Sequence, residues 1–362
     1  MAAQHPTAAV LLCEVVMEIL SWIPAKPVTR LKLVCKSWNS IISHPHFLKL
    51  HLHRSPKNAI LLFTQTKALT LGEEEKQGLV LSSVESFIQN PSSSLDTQEN
   101  RHSLHVEDWV SGSCNGLGER IHPQNVGLGP HKGEKNPTHN SFGFGYDESS
   151  DSYKVVTLIR DSSGIVTAQV YSFGGSSWKT INSLPAFLYF AEDTSGHFIG
   201  GTLNWLALRN LHGDDYDWAD VTLDMLMIVS FDLKSDTHKQ ILLPKGIDEI
   251  PGQKPILGVW GNSLYLLHDY KNTHFIAWQM KEFGDENSWT QLLKISFHHL
   301  GVETLFPEFI FENGNIFMLI GRHRFEEVFY DRRDNSVKRV NILANNCYFE
   351  AFDYVESLIQ PC

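Results

Sequence analysis

The sequence predicts a small all-α unit followed by a mainly-β, propeller-type domain, and three observations predict it. Apolar residues between Val15 and Ile42 recur at helical spacing. Beyond residue 58 the chain changes to short β-rich runs separated by Gly, Asn, Asp and Ser turns. Those runs share a repeated layout of roughly 50 residues, the length of one propeller blade of the kelch kind.

Residues 1–10 are expected to be a tail. Val15, Val16, Ile19, Leu20 and Ile23 then share one helical face, and Pro24 is expected to end that helix. Pro27 is expected at the first position of the next helix, where its missing N–H costs nothing. Val28, Leu31, Val34, Cys35, Trp38, Ile41 and Ile42 follow at spacings of three and four. Ser37 is a candidate cap, so two short helices fit this stretch as well as one long helix. "SHPHF" (43–47) is expected to close the unit.

A unit of about 45 residues buries too little apolar surface to be robust by itself. This one nevertheless carries more apolar side chains than one internal face needs, Trp22 and Trp38 among them. Such a surplus is one side of a helix-in-groove or helix-bundle interface.

The β-rich runs include "AILLF", "YKVVTLI", "AQVYSF", "LMIVSFDL", "FIAWQM" and "EVFYD". Three stretches align: "FIGGTLNWLAL" (198–208), "VWGNSLYLLH" (259–268) and "FENGNIFMLI" (311–320). Each has a Gly/Asn turn followed by a strand with an aromatic among aliphatics, and Gly201, Gly261 and Gly314 lie 60 and 53 residues apart. A β-sandwich would also give short strands, but not a shared unit.

The 362 residues carry a net charge of −11, unevenly placed. Residues 1–55 hold six Lys/Arg against Glu14 and Glu18, or +4; the remainder holds 24 basic and 39 acidic residues, or −15. An acidic body disfavours nonspecific nucleic-acid binding, and a basic head suits an acidic protein partner, although solvated helix faces account for so modest a charge equally well. Cys13, Cys35, Cys114, Cys347 and Cys362 form no Cys-x-x-Cys pair and no evident disulfide framework, which points to a reducing compartment. The apolar run Ala8–Cys13 is too short for a signal peptide or a membrane span, so cytosol and/or nucleus is expected.

"LLCEVVMEILSWIPAKPVTRLKLVCKSWNSIISHPHFLKLHL" (11–52) resembles an F-box, through Glu18-Ile19-Leu20, Ile23-Pro24, Arg30, Val34-Cys35-Lys36-Ser37-Trp38, Ile41-Ile42 and the closing Pro45, His46 and Phe47. "GSCNGL" (112–117), "FGFGYDESSDSYKVV" (142–156), "VYSFGGSSWK" (170–179) and "GTLNWLA" (201–207) resemble, in that order, the kelch-like F-box-associated (type 1) domain of plant F-box proteins. The resemblance implies an F-box over 11–54 and an associated β domain over 58–360.

Two departures stand out. The family usually has Leu-Pro where this chain has Leu11-Leu12, which loosens the entry to the first helix. After Gly116 the family usually continues with a strand, a Trp-Asn-Pro phrase and another strand; here 117–141 reads as an irregular loop, so one blade is expected to be degenerate or missing.

The resemblance implies a substrate-recognition subunit of a Skp-cullin-F-box type ubiquitin ligase, with no catalytic residue, cofactor or metal of its own. Its F-box would bind a Skp-type adaptor, cullin would join through the adaptor, and the β domain would hold an unknown protein substrate. Adaptor contacts are expected from Leu11, Leu12, Val15, Ile19, Leu20, Ile23, Pro24, Val28, Leu31, Val34, Cys35, Trp38 and Ile41. For Val15, Leu31 and Ile41 filling of the unit's own core competes with contact, whereas Leu20, Ile23, Pro24, Val34 and Trp38 are expected in contact or in both roles. A degenerate F-box protein without ligase coupling and a propeller-type enzyme are the alternatives.

Other motifs weigh less. "GSCNG" (112–116) has the outline of a nucleophile elbow, but glycines and a proline follow where a helix is needed. His44, His46, His51 and His53 form two His-x-His pairs without a cysteine or carboxylate nearby, a weak zinc signal. "HGDDYDWAD" (212–220) lacks the glycine and final glutamate of a calcium loop and reads as a solvated loop that could touch substrate. His298-His299 and Arg332-Arg333 have no triad or phosphate-cradle context.

Overall fold

The structure, a computed structural model, describes residues 7–54, 57–66, 77–83, 101–102, 140–160, 166–173, 178–181, 187–188, 196–209, 217–260, 262–302, 305–311, 316–321, 326–341 and 347–355. It divides into two compact units, one holding the N-terminal helices and the other nearly all of the sheets.

The helical unit contains α1 (Thr7–Leu20), α2 (Ala25–Leu31), α3 (Lys36–Ile42) and α4 (Pro45–Arg54). Helix α1 begins within the expected tail and ends before Pro24. Trp22 and Ile23 donate backbone bonds three residues back, to Ile19 and Leu20, which tightens the chain into a turn. Pro24 precedes α2, so Pro27 is that helix's third residue rather than its first. It is still tolerated, because N–H groups of the first turn have no intrahelical acceptor.

Of the two readings open for 25–42 the structure has two short helices, and the cap of α3 is Cys35 rather than Ser37: its Sγ accepts from the Trp38 N–H at 3.5 Å. "SHPHF" opens α4 instead of closing the unit. The core gathers Leu20, Ala25, Val28, Ile42 and Phe47, with Val16, Met17, Ile23, Leu31, Trp38, Ile41 and Leu48 packed around them.

The second unit is built from antiparallel sheets of consecutive strands. One contains β4 (Asn140–Asp147), β5 (Ser152–Arg160), β6 (Val166–Ser172) and β7 (Lys179–Ile181). The next contains β8 (Phe187–Leu188), β9 (His197–Ile199), β10 (Thr202–Leu208), β11 (Leu226–Asp232) and β12 (Thr237–Ile241). Two more follow: β13 (Ile256–Trp260), β14 (Ser263–Tyr270), β15 (His274–Met280) and β16 (Trp289–Ser296), then β17 (Leu305–Phe311), β18 (Ile316–Gly321), β19 (Glu326–Asp331) and β20 (Ser336–Asn341). A further sheet has the order β21-β1-β2-β3, joining β21 (Cys347–Val355) near the chain's end to β1 (Lys57–Thr66), β2 (Gln77–Ser83) and β3 (Arg101–His102). The first and last strands of the β region thus share one sheet.

The repeat seen in sequence is the blade. The pairs β9–β10, β13–β14 and β17–β18 are the same hairpin in three successive sheets; Gly201 lies in the first link, and Gly261 and Gly314 fall between the paired strands but outside the described residues. In the first, Gly200 and Gly201 have φ of 57° and 75°, and Ile199 pairs with Thr202, so only two residues make the turn. A second signature recurs in "DESSDS" (147–152), "DLKSDT" (232–237) and "DRRDNS" (331–336). The leading Asp147, Asp232 and Asp331 accept backbone N–H bonds from the turn, and Asp151, Asp236 and Asn335 take positive φ. Residues 103–139 lie outside the described residues, and with them "GSCNGL" and nearly all of the expected loop; Asn140 and Ser141, its last two residues, are strand.

Neighbouring sheets meet face to face, and the inner strands β4, β9, β13 and β17 touch in succession. Val156, Leu158, Val166, Ala168 and Val170 pack on Leu203, Trp205, Ala207, Met227, Val229 and Phe231. The opposite face of that second sheet sends Leu206, Leu208, Leu226, Ile228 and Ile241 against Leu257, Leu264, Leu266, Ile276, Trp278 and Met280. Strand β10 therefore buries all seven residues, which explains why "TLNWLAL" shows little polar alternation.

Candidate functional site

In the helical unit the core claims one stripe of α1, with Leu20 buried and Val16 and Met17 packed against it. The next stripe faces outward: Val15 is 49% exposed, Ile19 59% and Trp22 65%, at positions i, i+4 and i+7. Leu33 and Val34, in the turn between α2 and α3, are 89% and 60% exposed. Burying such side chains is worth about 1.5–3 kcal/mol each, and the unit leaves that free energy unused.

The expected contact residues fall into three groups. Val15, Ile19, Pro24, Val34 and Cys35 are exposed and open to a partner. Ile23, Leu31, Trp38 and Ile41 are half-buried, resting on the core while keeping an outer edge. Leu20 and Val28, at 2% and 0% exposure, are corrected to core residues, because they pack in one buried cluster with Ala25, Ile42 and Phe47. The side chains of Leu11 and Leu12 lie outside the described residues.

Leu33 is not among the expected contacts; Trp22 belongs to the apolar surplus expected at an interface but not to the contacts expected individually. Leu33 follows the last residue of a helix, where the 3.6-residue stripe no longer decides which way a side chain points, whereas Trp22, just past α1, still continues the stripe of Val15 and Ile19. The available signal was their failure to fit the core period.

Helix α4 locks the α1–α2 turn from behind. Buried His51 places Nε2 2.7 Å from the Ile23 carbonyl, and its ring lies against Phe47. Arg54 donates to Ser21 Oγ at 2.7 Å, pairs with Glu18 at 2.8 Å and lies 4.9 Å from the centre of the Trp22 ring. Its hydrogen bond holds the Glu18 carboxyl below the ordinary carboxylate range. Of the four histidines, His44 Nδ1 accepts from the His46 N–H and His51 is committed to Ile23, while the side chain of His53 lies outside the described residues. Among the described residues no group of three or more His, Cys, Asp and Glu is arranged to hold a metal ion, and no helix is long and apolar enough to cross a membrane.

In the β domain the residues of "FGFGYD" and "GTLNWLA" meet. Trp205 donates its indole N–H to Ser141 Oγ at 3.0 Å and lies over Gly143 and Gly196, where an added Cβ would come within 2.8 and 2.4 Å of the ring. Glycine is required there by the ring, not by the turn. Beside it, buried Lys154 bonds to the Leu233 carbonyl, to Asp147 at 3.1 Å and to Asp236 at 3.3 Å, while Lys179 reaches Asp236 at 2.6 Å. Burial pushes the Asp147 carboxyl up, but bonds from Ser149, Ser150 and Lys154 outweigh burial and hold it far below the ordinary carboxylate range. This clamp joins the β4–β5 turn to the β11–β12 turn of the next sheet.

The remaining candidates have structural occupations. Asp217 caps the short helical turn Trp218–Asp220, and Arg333 forks onto Asp331 in an exposed turn. His298 and His299 lie exposed on a short helix, Phe297–Leu300, capped by Ser296. The acidic residues at 212–216 are outside the described residues.

Residues 12–50 match the F-box domain family, and residues 130–361 match the F-box associated beta propeller domain family. Among curated proteins of Arabidopsis thaliana, the F-box/kelch-repeat protein At3g23880 is 28% identical over 313 residues, covering 78% of this chain and 78% of the relative. F-box protein CPR1 is 24% identical, covering 78% of this chain and 72% of its own length. The F-box/LRR-repeat/kelch-repeat protein At2g27520 is 21% identical and covers 96% of both.

Proposed function

The chain belongs to the F-box proteins that carry an F-box-associated β-propeller domain, and from that premise we propose that it is the substrate-recognition subunit of a Skp-cullin-F-box type ubiquitin ligase. An F-box joined to a propeller-type domain supports a substrate-adaptor role. In the finer reading the helical unit docks a Skp-type adaptor, cullin joins through that adaptor, and the β domain presents a protein substrate. The receptor performs no bond chemistry; it raises the local concentration of substrate lysines at the transfer site. It works in the cytosol and/or the nucleus, a placement that rests on cysteines forming no evident disulfide framework.

The observation that carries this reading is the apolar surface of Val15, Ile19, Trp22, Leu33 and Val34, which the fold of the helical unit does not use. An anchor of that kind, desolvated at an interface, is typically worth about 2–4 kcal/mol on truncation.

The test is co-expression of residues 1–362 with a Skp-type adaptor, beside Leu33→Asp and Val34→Asp variants. The expected result is a stable complex with the parent chain and none with either variant, all three retaining their helical and β signatures. A folded parent that does not bind the adaptor would sink the reading and favour an F-box without ligase coupling.

A further inference from the structure

Arg54 sits at the last position of α4, yet its guanidinium is turned onto the α1–α2 turn. It makes three contacts there: Glu18 at 2.8 Å, Ser21 Oγ at 2.7 Å and the Trp22 ring at 4.9 Å. The first two fasten α4 to α1. The third adds nothing to the core, because Trp22 is 65% exposed and stands apart from the buried cluster. What Arg54 does for Trp22 is restrict it: the indole already bonds to the Glu18 carboxyl that Arg54 holds in place, and the cation over its face narrows its rotamers further.

Trp22 also continues the outward stripe of Val15 and Ile19 and is its largest member. Tryptophan and arginine are the residue types that most often dominate an interface, above all when a side chain is held in its bound position beforehand. Immobilising a free side chain on binding costs roughly two- to tenfold in affinity, and that cost is avoided if the ring is already fixed.

We propose that Arg54 is a positioning residue for adaptor recognition, holding the Trp22 indole on the outer face of α1 as a preset anchor for the adaptor. This rests on the docking reading above and adds the anchor and the residue that sets it. The matching adaptor surface is an apolar pocket with an acidic rim. Residues 1–55 carry six Lys/Arg against two Glu, and the Arg54 pair already neutralises Glu18, so the unit meets its partner with a positive balance.

The experiment is a double-mutant cycle on the full chain, with the dissociation constant for a Skp-type adaptor measured for the parent, Trp22→Ala, Arg54→Ala and the double variant. Arg54→Lys and Leu33→Asp serve as companions, and a melting curve is recorded for each protein. Trp22→Ala is expected to weaken binding by about tenfold or more, and Arg54→Ala by about three- to tenfold. Arg54→Ala should change the affinity of the Trp22→Ala chain by less than about twofold, because its effect runs through the ring. Arg54→Lys, which keeps a cation over the indole, should recover part of the loss and remains informative if the alanine variant unfolds.

Equal weakening by Arg54→Ala in both backgrounds, tracking a lower melting temperature, would reduce Arg54 to a structural tie and overturn the proposal. So would parent-like affinity in Trp22→Ala while Leu33→Asp loses the adaptor, an outcome that leaves the docking reading intact. A parent chain that does not bind at all overturns both.

Discussion

Trp22 and Trp205 are the same side chain put to opposite uses, and they typify their two regions. Trp205 is 2% exposed, hydrogen-bonded to Ser141 and closed over two glycines; Trp22 is 65% exposed and held at its face by an arginine. The strand that carries Trp205 lies between two other sheets and spends both faces internally. Helix α1 spends one stripe and leaves the next bare. Apolar surface on β10 is therefore spent on stability, whereas the outer stripe of α1 is left over by the fold and, on the proposed reading, is available for association.

The sharpest way to break that contrast is to truncate both indoles. Trp205→Ala should cost about 3–5 kcal/mol in urea unfolding of the full chain, whereas Trp22→Ala should stay within roughly 0.5 kcal/mol. Similar losses in the two variants would remove the distinction.

Next in size is the clamp between sheets. Lys154→Met strands Asp147 with no cation and should cost about 3 kcal/mol, the low end for a broken buried pair because Lys179 still faces Asp236. Asp147 has a depressed pKa in the folded state. Its contribution is therefore full above the unfolded carboxylate range and is lost as pH falls from about 5 through the acid range. Asp147→Asn should flatten that part of the stability profile, and an unchanged acid limb would mean the clamp contributes little.

Within the helical unit, Leu20→Ala should cost about 2–3 kcal/mol, read from the loss of helical signal on heating. Val34→Ala, on the exposed turn, should leave melting unchanged and weaken only the adaptor complex. The smallest effect is expected at the β19–β20 turn, where Arg333 and Asp331 form an exposed pair. Arg333→Ala should shift stability by less than about 1 kcal/mol, and a larger loss would show that this turn carries more than solvent-screened charge.

Much of the fold was legible because it is written in local periods. "FIGGTLNW", "VWGNSLY" and "FENGNIF" marked the same hairpin in three sheets, since a two- to four-residue link demands Gly or Asn wherever it occurs. The helix break at Cys35 was half-legible: the interruption was visible, but which side chain would cap it depended on where the turn placed the Trp38 N–H. Helix α4 was missed because its stretch "PHFLKLHLHR" puts only a few apolar residues among histidines and basic residues.

The sequence by itself determined the order of the two regions, the blade period, the apolar surplus of the head and its charge contrast with the body. These depend on the identity and spacing of neighbouring residues, which no tertiary contact alters. Only the tertiary structure decided that Leu20 faces inward and Ile19 outward, that Trp205 needs glycines at 143 and 196, and that Arg54 lies over Trp22. Each joins positions that the local period does not connect, from one residue apart on a helix to more than sixty along the chain. Such pairings are settled by which surfaces can close over one another and exclude water.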